Sequence, residues 1–269
     1  ASRVYEERFG SEGHSGKSIH EFTFPKDGVA DIPEHDLLVG GFPCQDYSVA
    51  RTVSGELGIE GEKGKLWVDI ARIIRHKRPR PKVVLLENVP RLLNSPANAR
   101  GLNFAIILNE LLSMGYQVEW RVINAADYGM PQQRSRVFIL AYRAALQGLQ
   151  VKINGPGDYG FNGQVGRVPK SRNGMTKWLL GKSTTKTSEK WETGPFATAF
   201  PVKGDFNDSF TEIPQDIETY SSKSSPFENA GYAWQRQVVI DGVGGPRKNV
   251  FWSTRVKPDY EGDKILLCD

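Results

Sequence analysis

Short apolar runs alternate with amphipathic stretches along the first half of the chain, a pattern typical of repeated strand–helix units. Unbroken apolar runs predict strands, and apolar residues recurring at a spacing of three and four predict helices. In chain order the pattern predicts a strand at 36–40, a helix at 66–74, a strand at 83–86, a helix at 104–112, and strands at 116–123 and 137–142. The sequence therefore predicts an α/β fold with a mostly parallel sheet.

The last two of these strands are joined without a helix. Only residues 124–136 separate them, so we expect a terminal antiparallel hairpin. Parallel strands carry functional residues at their carboxyl ends, where Cys44 and Glu87 would fall. The hairpin loop returns Arg134 and Arg136 to the same edge, so we expect these segments to meet at one site.

The character of the chain changes beyond Leu149. Gly, Ser, Thr, Asn and Trp become more frequent, helical periodicity fades, and short runs at 238–240 and 249–252 predict strands. We therefore predict two domains, with residues 1–149 forming the α/β domain. Residues 150–269 would form a smaller domain that is β-rich or irregular.

Composition excludes several classes of protein. The chain has 269 residues, 39% of them hydrophobic, which is enough for a buried core and argues against disorder or a coiled coil. The net charge of +4 permits a polyanionic partner without requiring one. The 2 cysteines, Cys44 and Cys268, are too few for a secreted disulfide scaffold, and no metal-ligand spacing occurs. This cysteine usage favours a reducing, cytoplasmic setting. No apolar run approaches a membrane span, so we expect no membrane partner.

Three segments carry candidate chemistry. The block GFPCQDYS, residues 41–48, places the Cys44 thiol on a proline-fixed turn just past a strand. Glu87 follows four apolar residues at the end of a central strand, and Arg134 and Arg136 lie in the block QQRSR. Each segment alone also has an ordinary structural interpretation: a loop cysteine, a solvated strand-end glutamate, and a salt-bridged strand edge.

Together and in this order, the blocks GFPCQDYS, ENV and QQRSR resemble signature motifs of the DNA (cytosine-5) methyltransferases. The match spans most of residues 31–142, and the linking text KGKLW at 63–67 and DYGMP at 127–131 agrees with the family as well. The resemblance implies a Rossmann-like methyltransferase sheet. It also implies that residues 150–269 form a target recognition domain.

The resemblance implies a catalytic role for each motif. The Cys44 thiolate would add to cytosine C6 and make C5 nucleophilic, while a neutral Glu87 would act as general acid at N3. Arg136, with Arg134 beside it, would hold the cytosine O2 or the adjacent phosphate. Because the base cannot react inside a duplex, it would be flipped out of the double-stranded DNA. The DNA-binding loop that closes over it would include three further residues, namely Gln45, Ser48 and Arg51.

The implied methyl donor is S-adenosylmethionine. Of the residues that line the cofactor site in this family, only Pro43 and Leu66 can be matched to positions in this chain. The family's opening strand with its Phe-x-Gly-x-Gly turn and its late Gly-Asn-x-Val motif find no match. We therefore expect a chain that is incomplete at both ends, and that binds the cofactor poorly by itself because the main binding motifs are missing.

The leading interpretation is a monomeric bacterial enzyme, paired with a restriction endonuclease or acting as an orphan. Among other enzymes, a tRNA cytosine-5 methyltransferase shares the motifs but has a recognition region shorter than residues 151–269. A DNA-binding fragment without catalysis is a third possibility, which the intact Cys44, Glu87 and Arg136 set disfavours. A thiol hydrolase is disfavoured because no histidine lies in the motif blocks.

Overall fold

A computed structural model describes residues 2–23, 29, 31–42, 65–143, 196, 199–203, 211–213, 220, 222–240 and 243–262. The helices are α1 (Ser2–Phe9), α2 (Ile19–Thr23), α3 (Lys65–His76) and α4 (Leu102–Ser113), with short 3-10 helices at Pro90–Asn94 and Ala125–Tyr128. The strands are β1 (Leu37–Gly41), β2 (Val83–Asn88), β3 (Tyr116–Asn124), β4 (Ser135–Arg143), β5 (Val202–Lys203), β6 (Thr211–Ile213), β7 (Ala230–Ile240), β8 (Val243–Thr254) and β9 (Lys257–Pro258).

The elements predicted from hydrophobic periodicity are confirmed. The four strands and two helices expected between residues 36 and 142 all occur, with boundaries shifted by three residues or fewer. Helix α3 buries Trp67, Ile70 and Ile74 on one face. Helix α4 is followed by Gly115, whose positive φ of 87° lets the chain turn directly into β3. Local pattern thus determines this part of the fold.

The described strands form a seven-stranded sheet in the order β1-β2-β4-β3-β7-β8-β6 and a separate two-stranded sheet of β5 and β9. Only β1 and β2 pair in parallel, and every other described pair is antiparallel. The prediction of a mostly parallel sheet is therefore wrong for the described strands. The reason is that β4 returns from β3 as a hairpin and inserts beside β2, while the later strands add on antiparallel.

The predicted hairpin between β3 and β4 is confirmed. Its register runs without interruption from Tyr116 opposite Arg143 to Asn124 opposite Ser135. Strand β4 then pairs with β2, so that Glu87 lies opposite Phe138. The beginning of β4 and the end of β2 therefore meet at one edge of the sheet, as the spacing of the motifs predicts.

Strands from the second part of the chain extend the same sheet. The runs predicted at 238–240 and 249–252 lie within β7 and β8, and β7 pairs with β3. Phe227 packs edge-on against Phe104 and Trp120, with ring centroids 4.8 and 5.6 Å away. The division at residue 149 stays a prediction, whereas the described strands after it share a sheet and a core with the strands before it.

Close packing at the β3–β7 pair depends on a glycine. Gly231 lies opposite Trp120 in the register. A Cβ atom at Gly231 would overlap the indole ring of Trp120 and the carbonyl oxygen of Trp252. The fully buried Trp120 therefore occupies the space that a side chain at position 231 would need.

Within the described residues, no helix is both long and apolar enough to cross a membrane. The same residues contain no group of three or more His, Cys, Asp or Glu side chains that could hold a metal ion.

Candidate active site

The parallel strands β1 and β2 end side by side at the edge where the sequence motifs are expected to meet. Gly41, the last residue of β1, lies opposite Glu87 in β2. Phe42 follows and is buried, with its ring 5.9 Å from that of Trp67 in α3. Cys44 comes two residues later and lies outside the described residues. The last described residues of this segment, Gly41 and Phe42, therefore lie next to the end of β2 that carries Glu87.

Asn88 ties the ends of the two strands together. Its side chain is buried, its Nδ2 donates a hydrogen bond to the Phe42 carbonyl at 2.7 Å, and its Oδ1 accepts one from the Val89 amide at 2.8 Å. The sequence motif did not assign this function to Asn88. A signal was available, since Asn88 continues the buried alternation of Val84 and Leu86, and a buried amide requires partners.

Glu87 and Arg136 form an ion pair across the β2–β4 junction. Arg136 Nε donates to Glu87 Oε1 at 2.8 Å, and the side chains are 24% and 37% exposed. Arg136 precedes Phe138 by two residues and therefore lies on the same face of the sheet as Glu87. Arg136 Nη1 also donates to the Ser135 carbonyl at 2.7 Å, which fixes the orientation of the guanidinium.

Gly41 leaves space for this pair. A Cβ atom on Gly41 would lie 3.3 Å from Glu87 Oε2, tighter than ordinary van der Waals contact. Sequence reasoning assigned no function to Gly41, although the Gly40-Gly41 pair at a strand end is a recognisable sign of close approach. A side chain at position 41 would displace the carboxylate that faces Arg136.

Arg134 occupies a different position from Arg136. It lies before the start of β4, its side chain is exposed, and it makes no ion pair with any described residue. Its carbonyl accepts a hydrogen bond from the Ala125 amide at 3.0 Å, which closes the hairpin loop. The structure therefore joins Glu87 to Arg136 and leaves the Arg134 guanidinium available to solvent or a ligand.

The candidate cofactor wall is described only in part. Leu66 is half-buried in the first turn of α3 and packs on the core next to Trp67. The Phe42 ring lies beside the Trp67 ring, next to this turn. Pro43 and the predicted DNA-binding residues Gln45, Ser48 and Arg51 lie outside the described residues.

Comparisons with known proteins identify related chains. A type II methyltransferase of Staphylococcus aureus, M.Sau3AI, is 53% identical over 142 residues, which cover 53% of this chain and 33% of that protein. A type II methyltransferase of Lactococcus lactis subsp. cremoris, M1.ScrFI, is 40% identical over 142 residues, with the same coverage of 53% and 33%. The chain thus spans about a third of the length of these relatives.

Among solved structures, the S. pombe Dnmt2 methyltransferase aligns with a TM-score of 0.38 and 19% identity, over 53% of this chain and 38% of that one. The family model of the C-5 cytosine-specific DNA methylases matches residues 1–239. Because this match takes in well over half of the sequence and includes the Glu87 and Arg136 segments, the chain belongs to the C-5 cytosine-specific DNA methylase family.

Proposed function

We propose that this chain carries the catalytic site of an enzyme that methylates C5 of cytosine in a specific double-stranded DNA sequence, through a covalent adduct of Cys44. The observation that carries the proposal is the Glu87–Arg136 ion pair at the edge of the sheet. At the same edge, Asn88 hydrogen-bonds to Phe42, which precedes Cys44 by two residues. The family match and the names of the bacterial type II methyltransferases support the reaction class.

The reaction needs a nucleophile because cytosine C5 is too weakly nucleophilic to be alkylated directly. The Cys44 sulfur forms a bond to C6, and the displaced electron pair makes C5 enamine-like. Glu87 gives a proton or a hydrogen bond to N3, which relieves the negative charge on the ring and contributes roughly 10²–10⁴-fold in rate. After C5 has been methylated, a base takes the C5 proton, the electron pair of that C–H bond restores the C5–C6 double bond, and the C6–S bond breaks to release the Cys44 thiolate.

Arg136 holds the base by its O2 atom. A cytosine presents N3 and O2 on neighbouring positions of one edge, and the Glu87 carboxyl and the Arg136 guanidinium already lie 2.8 Å apart. An entering base would replace this ion pair with a contact to each side chain, and Glu87 would take up a proton from solvent so that it can donate to N3.

S-adenosylmethionine would supply the methyl group as an electrophile when bound. In this proposal Leu66 and Pro43 form an apolar wall of its site. Leu66 is the one of the two that the structure describes, and it packs against the hydrophobic core. Their function would be to hold the donor beside the flipped base and exclude water.

The remaining parts of the proposal concern DNA. Gln45, Ser48 and Arg51 would close over the flipped base, and Arg134 would contact the adjacent phosphate. Residues 150–269 would choose the target sequence, on a Rossmann-like catalytic sheet. The enzyme would act as a monomer in the bacterial cytoplasm, paired with a restriction endonuclease, since the relatives are named as type II methyltransferases.

The test measures methyl transfer from labelled S-adenosylmethionine to duplex DNA, with protein expressed from its complete gene. Glu87→Gln and Arg136→Lys should each lower the rate by at least about 100-fold. Asp36→Asn is the matched control, because it breaks a surface pair with Lys82 at a similar distance of 2.9 Å, at the opposite end of β1 and β2, and should leave the rate unchanged. Labelling of tRNA instead of DNA, or full activity of Glu87→Gln, would contradict the proposal.

A further inference from the structure

The loop that leads into Arg134 and Arg136 is fixed internally by backbone hydrogen bonds. The Ala125 amide donates to the Arg134 carbonyl at 3.0 Å, and the Met130 amide donates to the Ala125 carbonyl at 3.1 Å. Gly129 has a positive φ of 84°, which ends the short 3-10 helix. These hydrogen bonds join the loop to the residue that precedes β4, so a contact that anchors the loop also anchors the start of β4.

Tyr128 is the loop residue that contacts a distant part of the chain. Its hydroxyl donates to the Pro201 carbonyl at 3.1 Å, and its ring packs edge-on against Phe200 at 5.1 Å and Tyr260 at 6.0 Å. Burial raises the pKa of the Tyr128 hydroxyl, so it remains a hydrogen-bond donor at neutral pH. The loop is thus joined to the segment at 199–203.

Arg121 holds the same segment from the strand that precedes the loop. It is fully buried in β3, and its Nη1 donates to the Phe200 carbonyl at 2.9 Å. Its guanidinium also lies 5.8 Å from the centre of the Phe196 ring. Two consecutive carbonyls, those of Phe200 and Pro201, therefore accept hydrogen bonds from two side chains of the hairpin.

The anchored segment is in turn fixed to the end of the described chain. The Asp259 amide donates to the Pro201 carbonyl at 2.9 Å, and Lys203 forms an ion pair with Asp259 at 2.5 Å. Val202 is buried and pairs with Pro258 between β5 and β9. The segment at 199–203 is therefore bonded on one side to residues 257–259 and on the other to the hairpin loop.

We infer that Tyr128 and Arg121 are positioning residues, which fasten the hairpin loop to the segment at 199–203 and so hold Arg136 in place for the base. The catalytic part of this inference rests on the proposed function. Misplacement of a catalytic group by about 1 Å can reduce a rate by about 100-fold, so even a modest loosening of this anchor should be measurable.

Tyr128→Phe tests the inference, with Tyr116→Phe as a matched control. Tyr116 donates its hydroxyl to the Pro81 carbonyl at 2.6 Å, so both variants delete a phenol-to-proline-carbonyl hydrogen bond from β3 or its loop. Only Tyr128→Phe should slow single-turnover methyl transfer, by about 10-fold, with the dissociation constant for S-adenosylmethionine unchanged. In protein that already carries Arg136→Lys, adding Tyr128→Phe should lower the rate of methyl transfer by less than about 2-fold, because Tyr128 acts through Arg136.

Hydrogen exchange separates this inference from the proposed function. Tyr128→Phe should speed exchange of the Ala125 and Met130 amides, and Tyr116→Phe should not. If those amides are unaffected by Tyr128→Phe, or if the two variants have equal rates of methyl transfer, the inference is wrong. If the unmodified protein expressed from its complete gene transfers no methyl group, the proposed function is contradicted. The hydrogen-exchange result would then still show whether Tyr128 anchors the loop.

Discussion

The Nε atom of Arg136 lies 2.8 Å from the Oε1 atom of Glu87, although the two residues belong to strands that run in opposite directions. The contact forms because β2 ends and β4 begins at the same edge of the sheet. Asn88, the residue after Glu87, holds the exit of β1 at this edge. The last two residues of β2 therefore contact both neighbouring strand ends, Glu87 through Arg136 of β4 and Asn88 through Phe42 after β1.

Replacing Asn88 should reduce both stability and activity. Asn88→Ala removes the hydrogen bond to the Phe42 carbonyl, which should cost about 0.5–1.5 kcal/mol of unfolding free energy. Because Phe42 leads into Cys44, we also expect methyl transfer to slow by at least about 10-fold. The measurements are denaturant unfolding and single-turnover methyl transfer.

Asn103→Ala provides the comparison for Asn88. Asn103 is also buried, and its Nδ2 donates to Ser95 Oγ at 3.0 Å, away from the exit of β1. Asn103→Ala should lower the free energy of unfolding by a similar amount and leave the rate of methyl transfer unchanged. Equal rates for the two variants would show that Asn88 has no influence on the site.

Gly231→Ala should be strongly destabilising. Its Cβ would overlap Trp120 and the Trp252 carbonyl, neither of which is the free end of a flexible side chain. We expect a loss of more than about 3 kcal/mol, measured by urea unfolding. Gly115→Ala is the control, since Gly115 has a positive φ but no neighbouring atom within 4 Å of the added Cβ. Gly115→Ala should lower the free energy of unfolding by only about 1 kcal/mol. An equal loss for Gly115→Ala and Gly231→Ala would exclude steric overlap as the cause.

Glu119 should make stability dependent on pH. Burial raises its pKa to about 7, against the lowering effects of Arg121 and of a hydrogen bond with Tyr232. A raised pKa means that the folded state retains a proton that the unfolded state releases near its ordinary value of 4.5. The stabilisation is thus complete below about pH 4.5, declines as pH rises to about 7, and is constant above that.

Comparison of the wild type with Glu119→Gln isolates this effect. The difference in unfolding free energy between them should change by about 2–3 kcal/mol from pH 5 to pH 8, in the direction that disfavours the wild type at high pH. Denaturant unfolding across that range measures it. Parallel pH profiles would mean that Glu119 has the same pKa in both states.

The sequence was sufficient to predict the local elements and the meeting of Glu87 with Arg136, whose catalytic roles stay predictions. Periodicity located β2 and α4 because burial of alternate or helically spaced positions is a local property. It did not locate the partners of β7, since the pairing of Gly231 with Trp120 depends on two segments far apart in the chain. The motifs singled out Glu87 and Arg136. The hydrogen bond from Asn88 to Phe42 joins two separate strands, and the spacing of residues alone does not reveal it.

The most direct test of the proposed chemistry is covalent trapping by Cys44. A duplex with 5-fluorocytosine at the target position should retain the enzyme on DNA, because the missing C5 proton prevents release of the thiolate. With S-adenosylmethionine present and each protein expressed from the complete gene, the wild type and Cys268→Ala should both give a complex that survives denaturation, and Cys44→Ala should give none. A covalent complex with Cys44→Ala, or its absence with the wild type, would contradict the assignment of Cys44 as the nucleophile.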